Sequence, residues 1–341
     1  MSVKLDLKNK IINGNFQYFQ RGVSLAISNV TSPYLADRWT THRVGASWGY
    51  TVARSTDVPS ASTSEYSMQI STTTAAAMAV GDYAILSQSI EGNILRGFKN
   101  KKMVVSFWVK STKTGVFCAQ VCANTYPNRR YLVEYTVNAS NTWEKKTFRF
   151  THDSSGTWDY TTGAGLLLVF TIAAGNNFLM TANSWQTTAA NAFKTINQVN
   201  GMDNVANVFK IADVVMVEDN EGQTREPDFM YAGRDIFEEL QLCQRYYEVG
   251  YNFYSNTAAG IQPLTQTVQF LAEKRAAVSA MVIQGGSPGS GGDLRVGFIY
   301  GEAGGYYAAS ISSVTAKGFR PFATIGVNDH MHLTWRADAE L

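Results

Sequence analysis

Residues 165 to 173 read GLLLVFTIA, a run with no charged side chain that is apolar at odd and even positions alike. A strand sends successive side chains to opposite faces, so a segment apolar on both must be covered on both. That predicts a central strand in a layered β-structure, and neighbouring segments supply the rest of the layers. MVVSFWV places Met103, Val105, Phe107 and Val109 on one face and Ser106, Trp108 and Lys110 on the other. YLVEYTV alternates Tyr131, Val133, Tyr135 and Val137 against Leu132, Glu134 and Thr136, and EKKTFRF sets Phe148 and Phe150 against Lys145 and Arg149. Short alternating strands divided by polar turns predict an all-β fold, a sandwich or barrel.

The period changes at RDIFEELQLCQRYYEV. Ile236, Leu240, Cys243 and Tyr247 recur at helical spacing, and Asp235 with Glu238 has the form of a capping box. This predicts one connecting α-helix, after which strands resume. Leu294, Val296, Phe298 and Tyr300 of DLRVGFIY, and Met331, Leu333 and Trp335 of HMHLTW, alternate inward. GGSPGSGG at 285 to 292 has the composition of a flexible loop. The 341 residues suit about two domains. The expected organisation is an arm over 1–10, a β-sandwich over 11–230, a connector helix over 231–249 and a smaller β domain over 250–341.

Charged residues make up 16% of the chain, so Ser, Thr, Asn and Gln must solvate much of the surface. The 29 basic and 27 acidic residues leave a formal charge of +2 with no long basic block, which points to neither nucleic acid nor membrane as a partner. MSVKLDLKNK has no apolar core of a signal peptide and no run approaches the length of a membrane span, which predicts synthesis in a cytoplasm. Cys118 and Cys122 lie four apart on a predicted strand, about 13 Å at ~3.3 Å per residue, beyond disulfide reach. Both read as small buried hydrophobes.

Catalytic signatures fail on their chemistry. Gly285, Ser287 and Gly289 match G-x-S-x-G, but the residue that would donate an oxyanion N–H is Pro288, which has none. His330 and His332 share a strand face without a nearby Cys or carboxylate, and His42 and His152 have no triad context. Phosphate-binding loops and metalloprotease helices are absent. The expectation is a protein that is not an enzyme.

Aromatics in turn-rich loops are the remaining signal: Trp48 and Tyr50, Tyr126, Trp158 and Tyr160, and Trp185. An aromatic flanked by Asn, Gly and Thr offers a flat face and nearby polar groups, the two things a sugar ring needs. The candidate ligand-binding set is Trp158, Tyr160, Trp185 and Tyr126, with Asp159, Asn128 and Arg129 as hydrogen-bonding partners. The competing reading is that these rings cap the ends of the core.

IINGNFQYFQRG, ADRW, VVSFWVKS, RYLVEYTVNASNTWEKKTF, GTWDYTTGAGLLLVFTIAAG, IADVVMVEDN, ELQLCQRYYE and the terminal ADAEL, in that order, resemble bacteriophage virion proteins of tail-fibre or carbohydrate-binding-module-like type. The resemblance runs over nearly the whole chain. It implies an N-terminal jelly-roll sandwich in a non-enzymatic protein of the virion, synthesised in the host cytoplasm, with other virion proteins and a host surface polysaccharide as partners. It also implies a homotrimer, for which Tyr306, Tyr307, Phe319 and Trp335 would supply interface material. In this light NGNF is a structural signature: Asn13-Gly14 supplies a positive-φ turn, and Phe16 with Phe19 or Trp39 seals the core. Related modules hold calcium near this turn and an acid of the last strand. Asn15 and Asp213 occupy the matching places, with Asn where an acid would bind better. The alternative is a structural role without sugar binding, as a capsid decoration, head-fibre or tail-adaptor subunit. The lack of a repetitive shaft favours that alternative.

Overall fold

In the computed structural model the described residues are 8–124, 128–188, 191–219, 234–255, 262–263, 267–278, 280–285, 295–296, 298–301, 306–325 and 330–341. The chain divides into two compact units, residues 1–236 with Leu341, and residues 237–340. The division falls at the first residue of the helix Ile236–Gln244, which therefore groups with the second unit.

The first unit's strands are β1 (Ser24–Ile27), β2 (Trp39–Val44), β3 (Gly49–Ser55), β4 (Ser67–Thr74), β5 (Tyr83–Glu91), β6 (Lys102–Ser111), β7 (Gly115–Cys122), β8 (Asn128–Val137), β9 (Glu144–Thr151), β10 (Ala164–Ala174), β11 (Trp185–Thr188) and β12 (Val208–Glu218), with a short helix α1 (Gly92–Leu95) after β5. They form two six-stranded sheets, ordered β1-β3-β4-β12-β6-β9 and β11-β8-β7-β10-β5-β2. The chain crosses repeatedly from sheet to sheet: β5 and β6 lie in different sheets, as do β8 and β9, and β11 and β12. This is the expected jelly-roll sandwich, all-β in class.

The alternation predicted for β6 holds on its inner face, where Met103, Val105, Phe107 and Val109 are all buried in the main core. The outer face departs from expectation at Ser106, which is also buried. β10 lies between β7 and β5 in the second sheet. Leu166, Leu168, Phe170 and Ile172 enter the main core. Leu167 and Val169 join a second apolar layer with Ile85, Cys122, Phe178 and Phe193. The second face of the apolar run is thus covered by the chain after β10, not by another sheet. Cys118 and Cys122 are buried and unpaired, as expected.

The opening motif is tied together by side-chain hydrogen bonds. Asn13 Nδ2 donates to the carbonyls of Tyr18 (2.9 Å) and Asp37 (3.0 Å), and Asn13 Oδ1 accepts from Tyr18 N (3.0 Å). Trp39 Nε1 donates to Asn13 O at 3.0 Å, and its ring lies 5.1 Å from Phe16. The sealing role of Phe16 and Trp39 follows directly, but the glycine acts differently from the expectation. Asn13 and Phe16 take positive φ, 55° and 54°. Gly14 is required by close approach, since a Cβ there would meet Val214 O at 2.2 Å.

The second unit opens on α2 (Ile236–Gln244) and continues through β13 (Tyr247–Ser255), β14 (Gln262–Pro263), β15 (Val268–Gln269), β16 (Ala280–Gly285), β17 (Arg295–Val296), β18 (Phe298–Gly301), β19 (Tyr306–Ser312), β20 (Gly318–Ile325) and β21 (His330–Asp338). β21 pairs with β13, β16 and β18. The predicted helical stripe is shorter than expected. Tyr247 belongs to β13, Ile236 is 48% exposed, and Cys243 is buried beside Glu239. Lys274 closes the helix end, donating to Gln244 O at 2.6 Å and pairing with buried Glu248. Leu333 and Trp335 point inward as predicted, in a core with Tyr254, Phe270 and Phe319. Phe319 and Trp335, offered above as interface material, are therefore internal. The loop 286–292, with Ser287, Pro288 and Gly289, and Leu294 lie outside the described residues.

Candidate functional site

The structure brings three of the predicted residues together. Trp158 and Trp185 meet edge to face with centroids 5.8 Å apart, and the Arg129 guanidinium lies 5.9 Å from the Trp185 ring. Arg129 is held by Thr187 Oγ1 at 3.1 Å and by an ion pair with Asp153. Gly156 keeps room for it, because a Cβ there would come within 2.7 Å of Arg129 Cγ. Trp158 is only 8% exposed, packs 4.5 Å from the His152 ring, and donates its indole N–H to Ser155 O at 3.0 Å. It closes one end of the core. Trp185 is half-buried against Tyr131 and Phe150, and its N–H goes to Thr151 O at 2.8 Å.

Asp159 and Tyr160 make other contacts. Both oxygen-directed bonds of Asp159 come from Thr161, N and Oγ1 at 2.6 Å each, and they hold its carboxyl below the usual range. Tyr160 gives its carbonyl to Arg96 and lies 5.3 Å from Lys99 Nζ, while its hydroxyl reaches no hydrogen-bond partner. Tyr126 lies outside the described residues, and Asn128 opens β8. The grouping around Trp158 therefore offers little ring face to solvent.

A cleft that sequence reasoning missed opens on the other face of the edge strand β11 and its neighbour β8. β11 sends Trp185 toward the core and Gln186 the opposite way, and β8 sends Val133 inward and Glu134 outward. Together with residues 179–182 and 195–197 they line a cleft of about 680 Å³. Glu134 Oε1 accepts from Thr195 Oγ1 and from Asn197 Nδ2 (3.0 Å), which fastens one wall to the floor. Gln186 Nε2 donates to Thr181 O at 2.8 Å and fastens the other. Leu179 and Ile196, 41% and 74% exposed, supply apolar surface. On β7, beside Leu132 of β8, Gln120 is fully buried and its amide atoms reach no hydrogen-bond partner among the described residues. The signal for Glu134 was present in YLVEYTV, but an acid on a strand's polar face ordinarily means only solvation.

Metal and catalytic groupings are sparse. Asp213, with φ 49°, sits at the irregularity of β12 and accepts from Ser64 Oγ, while Val214 N donates to Gly14 O at 2.9 Å. Asn15 Oδ1 is buried without a hydrogen-bond partner among the described residues. Among the described residues no three His, Cys, Asp or Glu side chains gather as a metal site, so the Asn15 and Asp213 pair is short of the carboxylates calcium takes. His42 lies between Ser32 Oγ (2.7 Å) and Ser87 Oγ (3.1 Å). The side chains of His330 and His332 lie outside the described set.

No protein-family model and no curated protein matches the chain. Solved structures match it in part. A putative sugar binding protein from Bacteroides thetaiotaomicron is 12% identical over 62% of this chain and 100% of its own, with a TM-score of 0.39. A family 11 carbohydrate-binding module from Clostridium thermocellum, in complex with a beta-1,3-1,4-mixed-linked tetrasaccharide, is 14% identical over 59% of this chain and 99% of its own, at 0.30. The enzymatically active domain of bacteriophage CBA120 tailspike protein 4 is 14% identical over 62% of this chain, at 0.35, and the chain spans 21% of that one.

Proposed function

We propose that this chain is a non-enzymatic bacteriophage virion protein, a tail-fibre or receptor-binding component, whose N-terminal sandwich binds a host-surface saccharide in the β8–β11 cleft. The observation that supports this most is the composition of the cleft. Carboxylate, amide and hydroxyl groups of Glu134, Gln186, Asn197 and Thr181 converge beside the apolar surfaces of Leu179 and Ile196. A sugar needs directional polar partners and an apolar surface for its C–H face. The cleft also falls in the size range of small-ligand sites, about 300–1,000 Å³. Among the described residues Glu134 is the one acid lining it, whereas glycoside hydrolysis ordinarily takes two. The virion assignment rests on the ordered sequence resemblance.

Binding should be weak per site, roughly millimolar to micromolar. The test is titration of neutral oligosaccharides followed by NMR shifts, with Gln186→Ala and Asn197→Ala expected to weaken binding about tenfold each through loss of one hydrogen bond. Host-cell adsorption of particles carrying these variants should fall in parallel. The structural virion reading is favoured by one observation: among the described residues no aromatic ring lines the cleft. Absence of binding to any saccharide, with adsorption unchanged in both variants, would establish it.

A further inference from the structure

We infer that Glu134 sets the charge preference of the cleft, so that it takes glycans bearing a free amine ahead of neutral ones and rejects carboxylated or phosphorylated ones. This rests on the saccharide-binding reading above and adds to it the class of ligand. Among the described residues lining the cleft, Glu134 alone carries charge. Its position is enforced: β8 projects it outward, and Thr195 and Asn197 both donate to its Oε1. Neither donor brings a positive charge.

Lys194 of the covering segment and Arg130 of β8 make their hydrogen bonds elsewhere. Lys194 Nζ points to Ala174 O (3.1 Å) and Asn176 Oδ1 (3.3 Å), and Arg130 donates to Thr188 Oγ1 (3.1 Å) and Asn191 Oδ1 (2.9 Å). Both side chains are buried and neither lines the cleft. A carboxylate or phosphate on a bound sugar would therefore meet a like charge, with no cation among the described lining residues to pair with it. An ammonium would meet a fixed acceptor of opposite charge and form a charge-assisted hydrogen bond. At the edge of a protein, where dielectric screening is intermediate, a unit pair near 4 Å changes affinity by roughly tenfold.

The experiment is a calorimetric or NMR titration of the full chain with three oligosaccharides of equal length: glucosamine, glucose and galacturonate oligomers. The expected ranking is amine over neutral by about tenfold, with the acid weakest. Raising the salt from low to 0.5 M should compress that ratio, because screening acts on charge and not on hydroxyl contacts. Glu134→Gln, which retains an acceptor for Thr195 and Asn197, should bring the amine-to-neutral ratio close to one. Acid bound as tightly as neutral sugar, or a ratio unaffected by Glu134→Gln, overturns the charge assignment while the binding reading stands. No binding of any of the three overturns both. Where Glu134→Gln does not fold, the wild-type ranking and its salt dependence decide alone.

Discussion

Trp158 illustrates how one residue's burial changes its meaning. A sequence setting of Gly, Thr and Asp makes it look like a binding platform, yet its ring is enclosed by His152, Trp185 and the main core. Trp158→Ala is therefore expected to cost about 3–5 kcal/mol through the cavity it leaves. For a unit of this size that lowers the melting temperature by roughly 6–20 °C, read by calorimetry, with little effect on saccharide affinity at 25 °C. His152 beside it makes the same region acid-sensitive. Burial, then the nearby Lys99 charge, pushes its pKa down to about 4. The unfolded chain takes up the proton near pH 6.5, the folded one only near 4, so stability present above pH 6.5 is lost as pH falls through that window. The loss should reach about 1–3 kcal/mol, and His152→Phe should flatten stability between pH 4 and 7 in denaturant titrations.

At the scale of elements, what could be read from the sequence depended on period. β6 and β8 were legible because their alternation is clean, and β10 because only coverage on both faces explains its composition. The identity of the cover was not legible. Phe178 and Phe193 stand in a polar segment without regular period, and only the fold brings them over Val169 and Leu167. The helix was legible at its start, while its end was overrun: RYYE continues the apolar stripe on paper, but Tyr246 N turns back to Cys243 O and the chain enters β13. The cleft escaped notice for a related reason. It draws on β8, β11 and two connecting segments, and the polar residues of each are ordinary surface residues when taken alone. The aromatic loops stood out by composition, which reports amphipathic rings but not which way a strand or turn faces them. Asn13 and Gly14 show the converse. The turn was expected, but the need for glycine came from Val214 on a strand about 200 residues away.

For the whole molecule, the proposed function assigns saccharide binding to the first unit and assembly to the second. If the cleft of the sandwich binds saccharide as proposed, a single weak site gives little retention on a cell. Adsorption by such a protein demands several copies acting together, because linked sites multiply weak affinities. The second unit has the surface for assembly. Its own core takes Phe319 and Trp335, yet Phe237, Tyr251, Leu271 and Phe322 remain 74%, 52%, 76% and 49% exposed. Rings and a leucine left on a surface this poor in charge favour burial between subunits, and a closed trimer buries them without generating open fibres. The expected mass in light scattering at micromolar concentration is that of three 37.5 kDa chains. Paired substitutions Phe237→Glu and Leu271→Glu should release monomers. Those monomers should keep the solution affinity for a short oligosaccharide and lose retention on a polysaccharide-coated surface by about a hundredfold or more. A wild-type protein that runs as a monomer, or glutamate variants that stay trimeric, would place assembly elsewhere, and retention equal in monomer and wild type would show that multiple copies are not what holds the particle to its host.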